Sequence, residues 1–174
     1  ALDKRLTAIA RTPNDPKPYI DLAEVAFHTS HMDMARQNMQ KAVELAHKIE
    51  RAATAPATEP ALRTVSNSEV GELLTRLYRV NLTFAMILLD RQETDLRDEA
   101  RFYFKQCQLT ARTPEANAEW RLLLAPLTLA QQQYAQAASL YLEILTDSAL
   151  RDATFWRGEG IRAFRFWMKR EVIR

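Results

Sequence analysis

Twice between Pro18 and Ala46 the apolar residues fall on one side of a helix, and only Thr29, Ser30 and His31 separate the two runs. In the first run Tyr19, Leu22, Ala23 and Ala26 share a face; in the second Ala35, Met39, Ala42 and Ala46 do. Both follow the i, i+3, i+4 spacing of an amphipathic helix, not the alternation of a strand. Asp33 stands where the positive end of the second helix favours a carboxylate. The spacing predicts a helical hairpin. Alanine at positions 23, 35 and 42 puts little bulk where the two helices meet, so their axes can approach to about 8–10 Å.

Composition points the same way. Only 3 of 174 residues are glycine, while 47% are hydrophobic and 26% charged. Sheets joined by tight turns draw on glycine; helices do not. All-α is therefore the expected class, and a chain of this length buries about 70% of its unfolded surface, enough for a core without staples. The 24 basic and 22 acidic side chains leave a net charge of +2, too weak a field to signal nucleic acid or an anionic membrane by itself. Cys107 is the only cysteine; it cannot form an internal disulfide, and its place on an apolar helix face predicts a small buried hydrophobe. The longest apolar run, 82–89, is interrupted by Thr83 and falls far short of the roughly 20 residues of a spanning helix. No membrane span is expected.

In chain order, Leu2, Leu6 and Ile9 form one helical stripe that ends at the breaker run from Thr12 to Pro16. This segment and the first hairpin occupy 1–51. Residues 52–65, Ala and Thr with two prolines and no apolar period, predict a flexible insertion. Ser66 with Glu69 three residues on is a capping box. It opens a second hairpin over 66–112, with Val70, Leu73, Leu74, Leu77, Val80, Phe84, Ile87 and Leu88 on its first helix and Ala100, Phe104 and Cys107 on its second. Thr113 and Pro114 begin a third over 113–147, where Trp120, Leu123, Leu124 and Leu127 give the first stripe and Tyr134, Ala137, Tyr141 and Ile144 the second. Pro126 is expected to kink or interrupt the first of these helices. A final helix spans 152–174. The start at Ala1 and the end at Arg174 within a helical pattern predict a segment of a longer protein, folded here as a single helical domain.

The order Tyr19-x2-Leu22-Ala23, then Ala35-x3-Met39-x2-Ala42, resembles the tetratricopeptide repeat, whose helices follow Trp-x2-Leu-Gly-x2-Tyr and Ala-x3-Phe. Ala8 and Ala42 are separated by 34 positions, the family's repeat length of about 34. Trp156 and Gly160 could begin a further unit. Ala23 replaces the family's glycine, and the middle unit has longer connections. The resemblance implies a right-handed α-solenoid of about three hairpins with flanking half-units, serving as a non-catalytic protein–protein interaction scaffold. It places Asp21, Glu24 and His28 of the first hairpin and Arg76 and Arg79 of the second toward a concave groove. The Lys and Asn set with which some relatives grip a C-terminal carboxylate is missing, and the acidic pair argues for a basic or mixed peptide. Expected partners are another protein, adjoining domains of the same chain, or further copies. The alternative is nucleic acid on the last helix, where Arg162, Arg165 and Lys169 form a basic face interleaved with aromatics.

Catalytic chemistry finds no foothold. Three histidines and three glycines assemble neither a phosphate loop nor a nucleophile elbow. Glu44-x2-His47 has di-iron spacing, but such a site needs two of these motifs. Neither metal nor cofactor is expected. Asp90, Glu93, Asp95, Asp98 and Glu99 gather at a turn and a helix start, where solvated carboxylates favour the helix dipole.

Overall fold

A computed structural model describes residues 2–54, 66–90 and 94–147 together with Ala149. These residues form the helices α1 (Leu2–Arg11), α2 (Pro16–His28), α3 (Met32–Thr54), α4 (Asn67–Asp90), α5 (Thr94–Thr110), α6 (Pro114–Ala130) and α7 (Tyr134–Thr146). Among the described residues there is no strand, and the fold they form is all-α.

The helix starts follow from their caps. Asp15 accepts the Lys17 amide at 3.0 Å ahead of Pro16, and Thr113 accepts the Ala116 amide at 3.1 Å ahead of Pro114. Each side chain satisfies an amide that the helix itself leaves unpaired, and each proline sits where its missing N–H costs nothing. The capping box closes as expected: the Ser66 amide donates to Glu69 at 2.8 Å, and the Glu69 amide donates to Ser66 Oγ at 3.2 Å.

Two helix ends share one construction. At the end of α2, the His31 amide donates to Ala26 O at 2.8 Å and the Ser30 amide to Phe27 O at 3.1 Å. At the end of α6, the Gln133 amide donates to Thr128 O at 3.1 Å and the Gln132 amide to Leu129 O at 2.8 Å. This is the paired 6→1 and 5→2 pattern of a Schellman turn, which needs a left-handed residue after the helix. Ser30 and Gln132 supply it, with φ of 62° and 61°. The turns lie 102 positions apart, three times the period of about 34 residues. The same offset carries Ala23 to Ala125, Ala26 to Thr128 and Ala35 to Ala137, all buried.

The chain divides into two compact units, residues 1–111 and 112–174. In the first, consecutive helices pack on one another, and α2 also touches α4 while α3 touches α5. Ala35, Met39, Ala42 and Ala46 are all fully buried, as their spacing predicts. So are Leu22, Ala23 and Ala26 of α2, joined by Ile20 and Phe27. Phe27 stacks on Phe84 of α4 at 3.9 Å between ring centres, and Tyr103 of α5 meets both edge-on at 5.9 and 5.2 Å. The two edge-on pairs contribute about 0.5–1.5 kcal/mol each beyond the area they bury. Cys107 is fully buried, its thiol 3.8 Å from Tyr78 O. In the second unit α6 pairs with α7 around Ala118 and Ile144, with Leu122 packed against them.

Several expectations need correction. Helix α3 runs to Thr54, so Ala52, Ala53 and Thr54 are helical and not part of the insertion; residues 55–65 lie outside the described residues. Pro126 sits inside α6, which continues to Ala130, so it does not interrupt the helix. Leu6, on the helical stripe of α1, is 49% exposed. Tyr134, given to the packed face of α7, is 63% exposed, and the buried positions there are Ala137, Leu140 and Ile144. Among the described residues no helix is long and apolar enough to cross a membrane.

Candidate interaction groove

Contact between α2 and α4 decides where the charged candidates meet. Asp21 and Glu24 lie one turn apart on α2, and both reach Arg76 of α4: one guanidinium nitrogen is 2.6 Å from Asp21 Oδ1 and 3.1 Å from Glu24 Oε2. All three side chains are between 38% and 44% exposed, so water screens the pairs and their value is positional more than energetic. Partial burial disfavours the charge on Arg76, but the hydrogen bonds and fields of Asp21 and Glu24 outweigh it and raise its pKa above the usual guanidinium value. Arg76 is thus a fixed cation held between two carboxylates.

Beside this triad opens a groove of about 540 Å³, lined by Glu24 from α2 and by Gly71, Glu72, Thr75, Arg76, Arg79 and Val80 from α4. The α4 residues recur as adjacent pairs every four positions, which puts them on one face of the helix. Of the sequence candidates, Glu24, Arg76 and Arg79 line the groove, and Asp21 anchors Arg76 from its edge. His28 lies elsewhere, exposed at the end of α2 with its ring edge-on to Phe27 and Phe84 at 5.9 and 6.4 Å. Gly71, Glu72 and Thr75 escaped the sequence reading, and Val80, read there as part of the apolar stripe, is half-buried and lines the groove. Their signal was present, since 71/72 and 75/76 continue back along α4 the face that holds Arg79 and Val80.

A second charged cluster joins α3 to α5. Arg36 pairs with Glu99 at 3.3 Å, and its guanidinium lies 4.5 Å above the Phe102 ring. Glu99, expected as a solvated cap, is only 16% exposed. Burial raises its pKa above the usual carboxylate value, Arg36 opposes this, and Asp33 adds to the rise. Burial, helped by the nearby charge of Glu99, also pushes the Tyr103 hydroxyl well above the ordinary phenol range. His47 does not partner Glu44; its Nδ1 lies 3.0 Å from Glu50, while Glu44 lies 3.7 Å from Lys41. Among the described residues, no group of three or more His, Cys, Asp or Glu side chains is placed to hold a metal ion. Arg162, Arg165 and Lys169 lie outside the described residues.

Compared with known proteins, the chain matches no family model and has no significant match among curated proteins or solved structures. The groove is therefore read from its own chemistry.

Proposed function

We propose that this chain is a non-catalytic scaffold of tetratricopeptide-like helical hairpins that takes a segment of a partner protein into the groove between α2 and α4. The observation that carries the reading is the pinned Arg76, held by Asp21 and Glu24 beside an open groove whose other charges, Glu72 and Arg79, make no side-chain hydrogen bond or ion pair among the described residues. A receptor surface ordered before binding loses little freedom when a partner arrives, so more of each contact appears as affinity. The matching Schellman turns 102 positions apart support the repeat reading. The acidic pair and the two arginines make a surface of mixed charge, suited to a partner of mixed charge.

The test is affinity capture from the source lysate with the wild-type chain and with Arg76→Glu/Arg79→Glu, each run with and without nuclease and at two salt concentrations. A discrete protein held by the wild type with and without nuclease and lost by the double variant is the expected result. Material lost with nuclease would overturn it in favour of nucleic acid on Arg162, Arg165 and Lys169, whereas a partial weakening with salt alone is what exposed charge pairs also give.

A further inference from the structure

We infer that the segment received by the α2–α4 groove is an amphipathic helix that lies along α4 over Gly71 and Thr75 and carries one acidic and one basic side chain two turns apart; this rests on the interaction reading above. The argument begins with a residue the fold does not need. Glycine weakens a helix relative to alanine because it leaves the backbone freer in the unfolded chain. It is normally kept where a Cβ would collide or where φ is positive. Neither holds at Gly71: a Cβ built there meets nothing within 4 Å, and no glycine among the described residues has positive φ. The space in front of it belongs to the groove. One turn on, Thr75 is short and its hydroxyl is tied back to Gly71 O at 2.8 Å, so no long side chain stands there and no polar group is left unpaired. Gly71 and Thr75 together leave a low track along α4 where another backbone can come close.

Charge flanks the track. Glu72 and Arg79 stand seven residues apart on α4 and are about 10.5 Å apart along its axis. Between them Arg76 is already occupied by two carboxylates. Glu72 and Arg79 line the groove with no side-chain partner among the described residues. An incoming helix that bears opposite charges at the same seven-residue interval can satisfy both. An extended strand fits less well, because about 10 Å is three residues of strand, and side chains at odd separations point to opposite faces. Val80 adds an apolar contact at the Arg79 end. The mode is a helix laid in a groove, with the charges setting its register.

The probes are lactam-stapled, fluorescein-labelled helical peptides of alanine and leucine background. Two carry one Glu and one Lys seven residues apart, in either order; two controls carry Glu/Glu and Lys/Lys. Binding to the full chain is read by fluorescence anisotropy. Both mixed-charge peptides should bind roughly tenfold tighter than either control, since turning the helix end for end presents the same charges, and Glu72→Arg, which leaves two cations on the track, should move the preference to the Glu/Glu peptide. Gly71→Leu should weaken binding by roughly tenfold or more through a clash in the track. Gly71→Ala guards against a folding artefact: it should raise the melting midpoint by about 2–4 °C and still weaken binding. Equal binding of all four peptides, or unchanged binding to both the Gly71→Leu and the Glu72→Arg chains, overturns the inference. If lysate capture nonetheless depends on Arg76 and Arg79, the helix inference alone has failed; if capture is also independent of them, the interaction reading falls with it.

Discussion

The α2–α3 and α6–α7 hairpins are built alike and buried differently. Both begin on a capped proline, both turn through a left-handed residue in a Schellman geometry, and both place an alanine at the same point of the second helix, Ala35 and Ala137. Yet α2 and α3 bury Ile20, Leu22, Phe27 and Met39 almost completely, whereas α7 leaves Tyr134 at 63% and Leu142 at 60% exposure. Caps, turns and small residues act within about one turn of helix and decide that a hairpin forms. In the first unit α4 and α5 complete the burial of α2 and α3 through Phe84 and Tyr103.

The largest test of this contrast is Phe84→Ala, which removes the ring stacked on Phe27. It should cost about 3–5 kcal/mol by urea unfolding, whereas Tyr134→Ala should stay within about 0.5 kcal/mol; comparable losses would erase the distinction. Next come Ala35→Leu and Ala137→Leu. Overpacking at either helix contact should destabilise by about 1–3 kcal/mol, and a neutral Ala137→Leu would mean that α6 and α7 do not pair as closely as α2 and α3. Smaller again, and of opposite sign, are Ser30→Gly and Gln132→Gly. Each relieves a side chain held at positive φ and should raise stability by about 0.5–1 kcal/mol.

The smallest effect is a difference of sign in acid. The Ser66 backbone and side-chain hydrogen bonds hold Glu69 below its usual value of 4.5. Its capping contribution is thus present above that pH and lost as pH falls through the lowered folded value. Glu99 has a raised pKa in the fold, so it takes up its proton more readily folded than unfolded, and its protonation favours the fold as pH falls. The stability gap between wild type and Glu69→Ala should narrow below about pH 4.5. Carbon-detected NMR titration of the two carboxyls should place Glu99 above Glu69; the reverse order would remove the assigned environments.

What was legible in the sequence follows the same division. The hairpin of 18–46, the Ser66 capping box and the Thr113–Pro114 start depend on neighbours three or four positions away, and all three appear where the spacing put them. The meeting of Asp21 and Glu24 with Arg76 spans more than fifty positions, and no local period encodes it. Glu99 looked like a solvated cap because its own helix gives it that position; Arg36 and the packing of α5 on α3 make it otherwise. Tyr134 was misplaced for the converse reason, since a periodic apolar residue records a face without recording whether anything covers it. Gly71 was readable as a glycine inside a helix, but only the space around it shows that no packing contact requires it.

The buried thiol at Cys107 gives the two units separate reporters. It is the chain's only cysteine and lies in residues 1–111, whereas all three tryptophans, Trp120, Trp156 and Trp167, lie in 112–174. The rate at which a thiol reagent labels the native chain therefore times the opening of the first unit, and the intrinsic indole emission follows the second. One chain, with no engineered probe, can reveal whether the units open together or one at a time.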